Sequence, residues 1–403
     1  MSDFHVLIAG GGIGGLCLAQ GLKKAGVGCT VYESNSGIVQ AGYRLHMNAT
    51  GGEALKATLP ENLYELYLQV SRRTPRRELF VVLDRHGKEL GTRAHIGPPN
   101  DGERPHTAMN RRTLRQILAA GLGSMLEFGR TVTGYTLEQD SVRLMFADGS
   151  SRVGDVLVGA DGIHSRVRRQ YLPDLHVHDV GRTGVWSTAP LTDDLAEILP
   201  PAVFDGFVVV EWGNGMISAL GVYDPRRRIS EAVAALAPGA EIDDVEPYIM
   251  FTYGNGLGST VAPGTLDFSS SSPEEAKAYL QTLMVDVHPG FAAIVARLDV
   301  STIGPNNVRH LDVADPWEPT RVTLLGDAIH AMPPSFGAGA NSALRDAAAL
   351  TRAISDMATG SRRIADAIGE YEREMRDEVF PIMRASADPD VANDVRQSTH
   401  TTR

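Results

Sequence analysis

A chain of 403 residues is too long for one simple core and comfortable for two closely joined domains. Hydrophobic residues at 43% and charged residues at 22% are ordinary for a globular protein, and 38 basic against 49 acidic side chains leave a formal charge of −11. Such a surface argues against nucleic acid or an anionic membrane as the main partner. No apolar run approaches the ~20 residues a membrane helix requires. The first apolar run begins almost at Met1, leaving no room for a signal peptide, and Cys17 and Cys29 read as reduced, buried thiols, so a cytoplasmic protein is expected.

In chain order, 4–9 reads as a buried parallel strand that runs straight into glycines. Residues 14–25 carry Leu18, Leu22 and Ala25 at helical spacing, with Gly26 as the stop, and Cys29 to Glu33 forms a second strand. A helix over 110–122 with Asn110 as N-cap follows, then strands over 143–146 and 155–159. From about 172 to 270, short apolar runs such as 207–210 and 217–222 alternate with Gly, Pro and Asp turns, which predicts an antiparallel sheet. Ser272-Pro273-Glu274-Glu275 is a capping box opening a helix to about Asp286. Residues 321–325 form another buried strand. A helix over 341–358 places Leu344, Ala347, Leu350, Ile354 and Met357 on one face. A final helix over roughly 363–384 carries Ile364, Ile368, Tyr371 and Met375, with Pro381 expected to kink it or end it early. The tail from 386 to 403 is polar.

Two glycine-rich turns carry the chemistry. Gly10-Gly11-Gly12-Ile13-Gly14-Gly15 satisfies G-x-G-x-x-G between a strand and a helix: Gly10 for the tight turn, Gly12 for backbone approach to a pyrophosphate, Gly15 for close helix packing. The helix N-terminus offers free N–H groups to a phosphate. Glu33 ends the second strand, 18 residues past Gly15, where an acid accepts hydrogen bonds from an adenosine ribose. No arginine adjoins it in sequence, which favours FAD or NAD over NADP there. The second turn, Gly326-Asp327-Ala328-Ile329-His330-Ala331-Met332-Pro333-Pro334 followed by Gly337-Ala338-Gly339-Ala340-Asn341, lies between a buried strand and a helix.

Together these motifs resemble the flavoprotein aromatic hydroxylases, single-component FAD monooxygenases typified by para-hydroxybenzoate and salicylate hydroxylases. The resemblance spans about residues 4 to 384. It implies an α/β fold, with a Rossmann-like FAD-binding domain (1–171 and 319–385, with C-terminal helices) interrupted by a mainly antiparallel β-sheet substrate domain (172–270, with a return segment 271–318). It implies that Asp327 bonds the ribityl chain of a non-covalent FAD. Pro334 and the turn 337–341 would then aim helix N-terminal N–H groups at the flavin pyrimidine edge, where the reduced flavin is anionic. The usual Gly-Gln-Gly is Gly337-Ala338-Gly339 here, a departure that leaves the backbone donors in place. Asp161-Gly162 resembles the family's Asp-Gly motif near the pyrophosphate, and Arg111 with Leu114 its Arg-x-x-Leu helix. Arg44 is a weaker match, and Val132 lies where a strand passes the adenine. The implied activity is oxygenation of a small apolar molecule with NAD(P)H and O2 through a flavin C4a-hydroperoxide, as hydroxylation or epoxidation. A reductase of an isoprenoid or quinone-like substrate is the alternative.

Other features carry less. Gly254-Asn255-Gly256-Leu257-Gly258 precedes no helix and reads as a turn, so NAD(P)H must visit the flavin from a groove. The arginines at 72–73, 76–77 and 226–228 read as a solvated face before a 2′-phosphate grip, and His176 and His178 as surface histidines; no metal is expected. The Trp-x-Trp pattern of flavin halogenases is absent. His330 reads as structural. Trp212, Tyr223, Phe251 and Tyr253 are candidates for the substrate ceiling, although ordinary sheet core is the favoured reading of any single one. His46 is the candidate polar contact to substrate. Oligomeric state is not legible.

Overall fold

The computed structural model describes residues 4–39, 43–73, 75, 77–93, 95, 100, 106–181, 183–213, 215–256, 258–261 and 264–388. Val6, Leu7, Ile8 and Ala9 are all buried, because the strand His5–Ala9 lies in the middle of a parallel sheet covered on both faces. That five-stranded sheet runs Val322–Leu324, Val156–Gly159, His5–Ala9, Gly28–Tyr32, Leu126–Glu127, with every neighbouring pair parallel. The helix Ile13–Lys24 packs against the long helix Gly339–Ala358 on one side. A separate three-stranded antiparallel sheet joins Val132–Leu137, Val142–Phe146 and Ser151–Gly154. The α/β class and the C-terminal helices are as the sequence predicts.

The second large sheet has seven strands, in the order Gly304–Pro305, Gly184–Pro190, Tyr248–Asn255, Met216–Tyr223, Phe207–Gly213, Phe80–Asp84, Glu89–Arg93. Its pairs are antiparallel except one: Phe207–Gly213 runs parallel to Phe80–Asp84. The sheet therefore takes two strands from before residue 172, outside the bounds expected for the substrate domain. Phe80 and Phe207 face each other across that junction, ring centroids 5.7 Å apart. One face of the sheet packs on helices Asp193–Ile198, Pro273–Thr282 and Pro289–Ala296, through Leu195, Leu280, Phe291 and Ile294 against Leu220 and Phe251. The opposite face looks toward the glycine turns.

Local signals set the helix starts. Asn110 accepts from the N–H groups of Arg112 and Thr113, and Ser272 and Glu275 close a capping box. That helix ends at Thr282, short of Asp286, and a second helix begins at Pro289. The last helix, Ile364–Ala387, runs through Pro381 without ending there. Pro381 is exposed while Val379, Phe380 and Met383 are buried, so the carbonyl deprived of its partner lies on the solvent side and the packed face carries the helix on.

Candidate functional site

The first turn is shaped by contact. Gly10 sits at φ +110°, and a Cβ there would lie 2.3 Å from the Ala160 carbonyl oxygen; a Cβ on Gly15 would lie 2.1 Å from that of Gly10. Around Gly12 the space is open: the only atom a Cβ would meet is the Ala160 oxygen at 4.0 Å. The helix that starts there has no side-chain cap, and Gly12, Ile13 and Gly14 border a cavity of about 370 Å³. Uncapped N–H groups opening on empty space fit a phosphate.

Glu33 is buried. Its carboxylate accepts from the Gly11 N–H at 3.0 Å, the Asn35 N–H at 2.9 Å and the Asn35 side-chain amide at 2.6 Å. Sequence adjacency misled about its neighbourhood: an Arg115 guanidinium nitrogen, from the helix Arg111–Ala119, lies 3.6 Å from the Glu33 carboxylate and donates to the Gly11 carbonyl at 2.9 Å. One helical turn separates Arg115 from Arg111, which borders the cavity as expected.

At the second turn, Gly326 (φ +61°) swings the chain from the sheet into the short helix Asp327–His330, leaving Asp327 exposed on the cavity wall. Pro334, Gly337, Gly339 and Ala340 line the same wall, where the 20-residue helix Gly339–Ala358 begins without a side-chain cap. Ala338 and Asn341 are buried behind it. Asn341 acts as a clamp, donating to the carbonyls of Gly337 at 3.0 Å and His46 at 2.9 Å and accepting from the Asn48 N–H at 3.0 Å. The pair of uncapped helix starts, the open glycines and the outward Asp327 fit the pyrophosphate, ribityl and ring of FAD.

Three expected cofactor contacts are placed otherwise. Asp161 turns its carboxylate onto the N–H groups of Arg166 and Val167 at 2.7 and 3.4 Å, starting the helix Arg166–Tyr171; its neighbours Ala160 and Gly162 border the cavity instead. Arg44 borders the cavity but spends its guanidinium on the carbonyls of Val222 (3.1 Å) and Gly206 (3.0 Å) in the second sheet. Burial and the nearby Arg72 lower its pKa to about 9. Val132 is buried at the edge of the three-stranded sheet, away from the cavity lining.

The cavity continues onto the free face of the large sheet, where Phe80, Phe207, Val209, Ile217, Met250 and Thr252 form an apolar wall. Strand alternation decides which residues these are. On Tyr248–Asn255, Met250 and Thr252 face the cavity, so Phe251 and Tyr253 point to the helical layer, together with Trp212, whose indole N–H donates to Ser218 Oγ at 2.8 Å. Tyr223 is fully buried against Tyr248 and donates its hydroxyl to the Val70 carbonyl at 2.8 Å. Of the five residues expected at the substrate, only His46 borders the cavity.

His46 does not stand alone. Its ring stacks on His95 with centroids 3.9 Å apart, and Glu78 Oε1 lies 3.6 Å from His46 Nδ1 and 3.2 Å from His95 Nε2. Arg72 holds the other Glu78 oxygen at 2.5 Å. Burial, then His95 and Arg44, push the His46 imidazole well below its ordinary range, and burial also lowers His95. Burial alone would raise Glu78, but His95, Arg72 and Arg44 together hold it low. Glu78 and His95 are not legible in the sequence because they lie outside any recognisable motif, beside the continuous apolar run 79–83. Arg226 and Arg227 pin themselves to Leu68 and Gln69 beside the helix Glu61–Val70, and Arg77 to Asp205 and Glu89; Arg76 and Leu257 lie outside the described residues. His330 is fully buried and bonded to Asp346. No helix among the described residues is long and apolar enough to cross a membrane.

A family profile described as FAD binding domain matches residues 3–386. The chain is 30% identical over 387 residues to a dual O-methyltransferase/FAD-dependent monooxygenase of Cercospora beticola, covering 92% of this chain but 44% of that protein. The chain thus spans less than half the length of the first curated relatives it matches. It is 28% identical to an FAD-dependent urate hydroxylase of Klebsiella oxytoca, covering 93% of this chain and 86% of that one. Among solved structures, a protein of Photorhabdus luminescens assigned as an FAD-containing monooxygenase superposes with a TM-score of 0.80 at 30% identity, over 98% and 99% of the two chains. The Klebsiella pneumoniae protein HpxO, solved with FAD and uric acid, shares the fold at 21% identity, with a TM-score of 0.73 over 97% and 88%.

Proposed function

Because the chain belongs to the FAD-binding-domain family of FAD-dependent monooxygenases and hydroxylases, we propose that it uses NAD(P)H and O2 to oxygenate a small organic molecule with a largely apolar body. One observation carries this reading: a single cavity joins the glycine turns and Asp327 to the apolar face of the large sheet. A ligand on that face would lie directly against a cofactor held by the turns. The FAD-binding part, 1–171 with 319–385, and the substrate part over 172–318 remain our division of labour, with strands Phe80–Asp84 and Glu89–Arg93 serving the latter.

FAD, when bound, would supply the redox chemistry that links NAD(P)H to O2. The chain supplies position and exclusion. Helix starts at Gly12 and Ala338 offer N–H groups to phosphate and to the ring's pyrimidine edge. Asp327 would accept from the ribityl hydroxyls, and Arg111, which lines the same cavity, would contact the cofactor. Phe80, Phe207 and Met250 keep water from the reacting face. The test is to purify the protein, record its visible spectrum, and follow NAD(P)H oxidation with isotope-labelled O2 across a panel of aromatic and polyene compounds. Retained label in the product supports oxygenation. A protein that cannot be loaded with FAD, or a stimulated NAD(P)H oxidation with no labelled product for any stimulating compound, overturns it.

A further inference from the structure

The peptide at the centre of the first glycine turn is gripped from behind. Arg115, 8% exposed, donates to the Gly11 carbonyl from Nε at 3.3 Å and from Nη2 at 2.9 Å. The Gly11 N–H in turn donates to Glu33 Oε2 at 3.0 Å, and a Cβ on Gly11 would lie 2.9 Å from that oxygen. The helix ladder leaves the Gly11 carbonyl aside, because its first bond runs from the Leu16 N–H to the Gly12 carbonyl. Among the described residues, Arg115 is the one donor to the Gly11 carbonyl.

That grip has a consequence on the far side of the peptide. A trans peptide is planar, and its C=O and the N–H that follows point in opposite directions. Arg115 on the Gly11 carbonyl therefore turns the Gly12 N–H away from itself. Gly12 borders the cavity, and among the described residues its N–H has no acceptor. A cation bonded to one end of a peptide also polarises it and strengthens the bond that the other end donates. Packing does not require a cation at this position. Leu114, Ile117 and Leu118 already bury the apolar face of the helix Arg111–Ala119. Burial depresses the Arg115 pKa, and the carboxylate it faces, Glu33, lies no nearer than 3.6 Å. A buried cation so loosely paired is costly unless a further anion completes the arrangement.

We propose that Arg115 is a positioning residue for the cofactor's pyrophosphate, fixing the Gly11–Gly12 peptide so that the Gly12 N–H meets a phosphate oxygen. This rests on reading the first turn as the FAD pyrophosphate site. Arg115 lies outside the cavity lining, so it acts through the peptide in front of it. Its charge also offsets that of Glu33, which would otherwise repel a phosphate bound nearby. The flavin ring and ribityl chain stand against the second turn on this reading, so a ligand without phosphate does not sense Arg115.

The test measures the affinities of FAD, ADP and riboflavin by equilibrium dialysis on the full chain stripped of flavin. Arg115→Met should weaken FAD and ADP alike by about tenfold or more, the scale of a charge-assisted hydrogen bond, and leave riboflavin within about twofold. Arg115→Lys, a cation that still reaches the Gly11 carbonyl, should keep FAD within about threefold of wild type. In a Glu33→Gln background, Arg115→Met should still weaken FAD severalfold, because the peptide is released there too. A loss that vanishes in that background would assign the effect to the ribose acceptor and overturn the proposal. Unchanged FAD and ADP, riboflavin weakened as much as FAD, or Arg115→Lys no better than Arg115→Met would overturn it as well. Thermal melts check the fold, and if Arg115→Met unfolds, the shorter Arg115→Gln is read by the same criteria. A wild type that binds no FAD would count against the proposed function and this inference together. A wild type that binds FAD, with Arg115→Met unmoved, would count against this inference alone.

Discussion

His330 Nε2 lies 2.6 Å from Asp346 Oδ2, with neither side chain reaching solvent, and the same carboxylate oxygen accepts the Gly326 N–H at 3.1 Å. Asp346 belongs to the helix Gly339–Ala358, while Gly326 and His330 bracket Asp327. One buried carboxylate thus fixes the angle between the two elements that face the cofactor.

His330→Ala should therefore act on stability first. Removing one partner of a buried charged pair costs about 3–5 kcal/mol, read by chemical denaturation. Burial opposes the charge on His330, but the Asp346 carboxylate outweighs it and raises the imidazole's pKa. The folded value then exceeds the unfolded one of about 6.5. The stabilisation is full below that pH and is lost as pH rises through the folded value. Denaturation midpoints measured from acid to mildly alkaline pH should fall in the wild type, and this component should vanish in His330→Gln.

Asp327→Ala should leave the fold intact and weaken FAD by roughly ten- to a hundredfold, the scale of about 1.5–3 kcal/mol for a charge-assisted hydrogen bond. Arg111→Ala should behave similarly. Gly10→Ala should be harsher, since the added carbon would collide with the Ala160 carbonyl. Equilibrium dialysis of FAD distinguishes them, and an unchanged affinity in Asp327→Ala would remove that residue from the cofactor wall.

Sheet parity makes a sharper prediction. Met250→Trp should fill the cavity and suppress ligand-stimulated NAD(P)H oxidation while FAD stays bound. Phe251→Ala, one residue on, should instead cost about 3–5 kcal/mol of stability by emptying the helical layer. Equal effects of the two on ligand binding would contradict the assigned faces.

Substrate should control reduction. Among the described residues there is no second nucleotide-binding fold that could hold NAD(P)H beside a bound flavin, so on the proposed function NAD(P)H oxidation is expected to be slow alone and many-fold faster with a bound ligand. Stopped-flow bleaching of the flavin, with and without a verified substrate, reads this directly. The Asn341 clamp on His46 and Asn48 restrains one segment in which such gating could operate, so Asn341→Ala should raise the substrate-independent rate. That segment is the loop 42–47, and its first residue, Gly42, lies outside the described residues.

The nucleotide-binding end was legible because its chemistry needs particular backbones: positive φ at Gly10, an open approach at Gly12, a strand before and a helix after. Such demands leave marks in sequence within a few residues. The substrate end was not, because it depends on which side of a strand a residue occupies. Met250 and Phe251 are equally apolar, and only the helices packed on Phe251 decide between them. Arg115 beside Glu33 was missed for a related reason: 82 positions separate them in the chain, and a long-range ion pair has no local pattern.

The parallel pairing of Phe80–Asp84 with Phe207–Gly213 also bears on how the molecule is made. From Phe80 to Phe207 is 127 residues, roughly 6–25 s of synthesis at ordinary rates. Throughout that interval the Phe80–Arg93 hairpin has an unsatisfied edge and an uncovered apolar face. Cutting the gene at residue 172 would leave that edge permanently open in the first product, and the edge of Phe207–Gly213 open in the second. The nascent hairpin is thus a point where a chaperone would help and slow translation would harm.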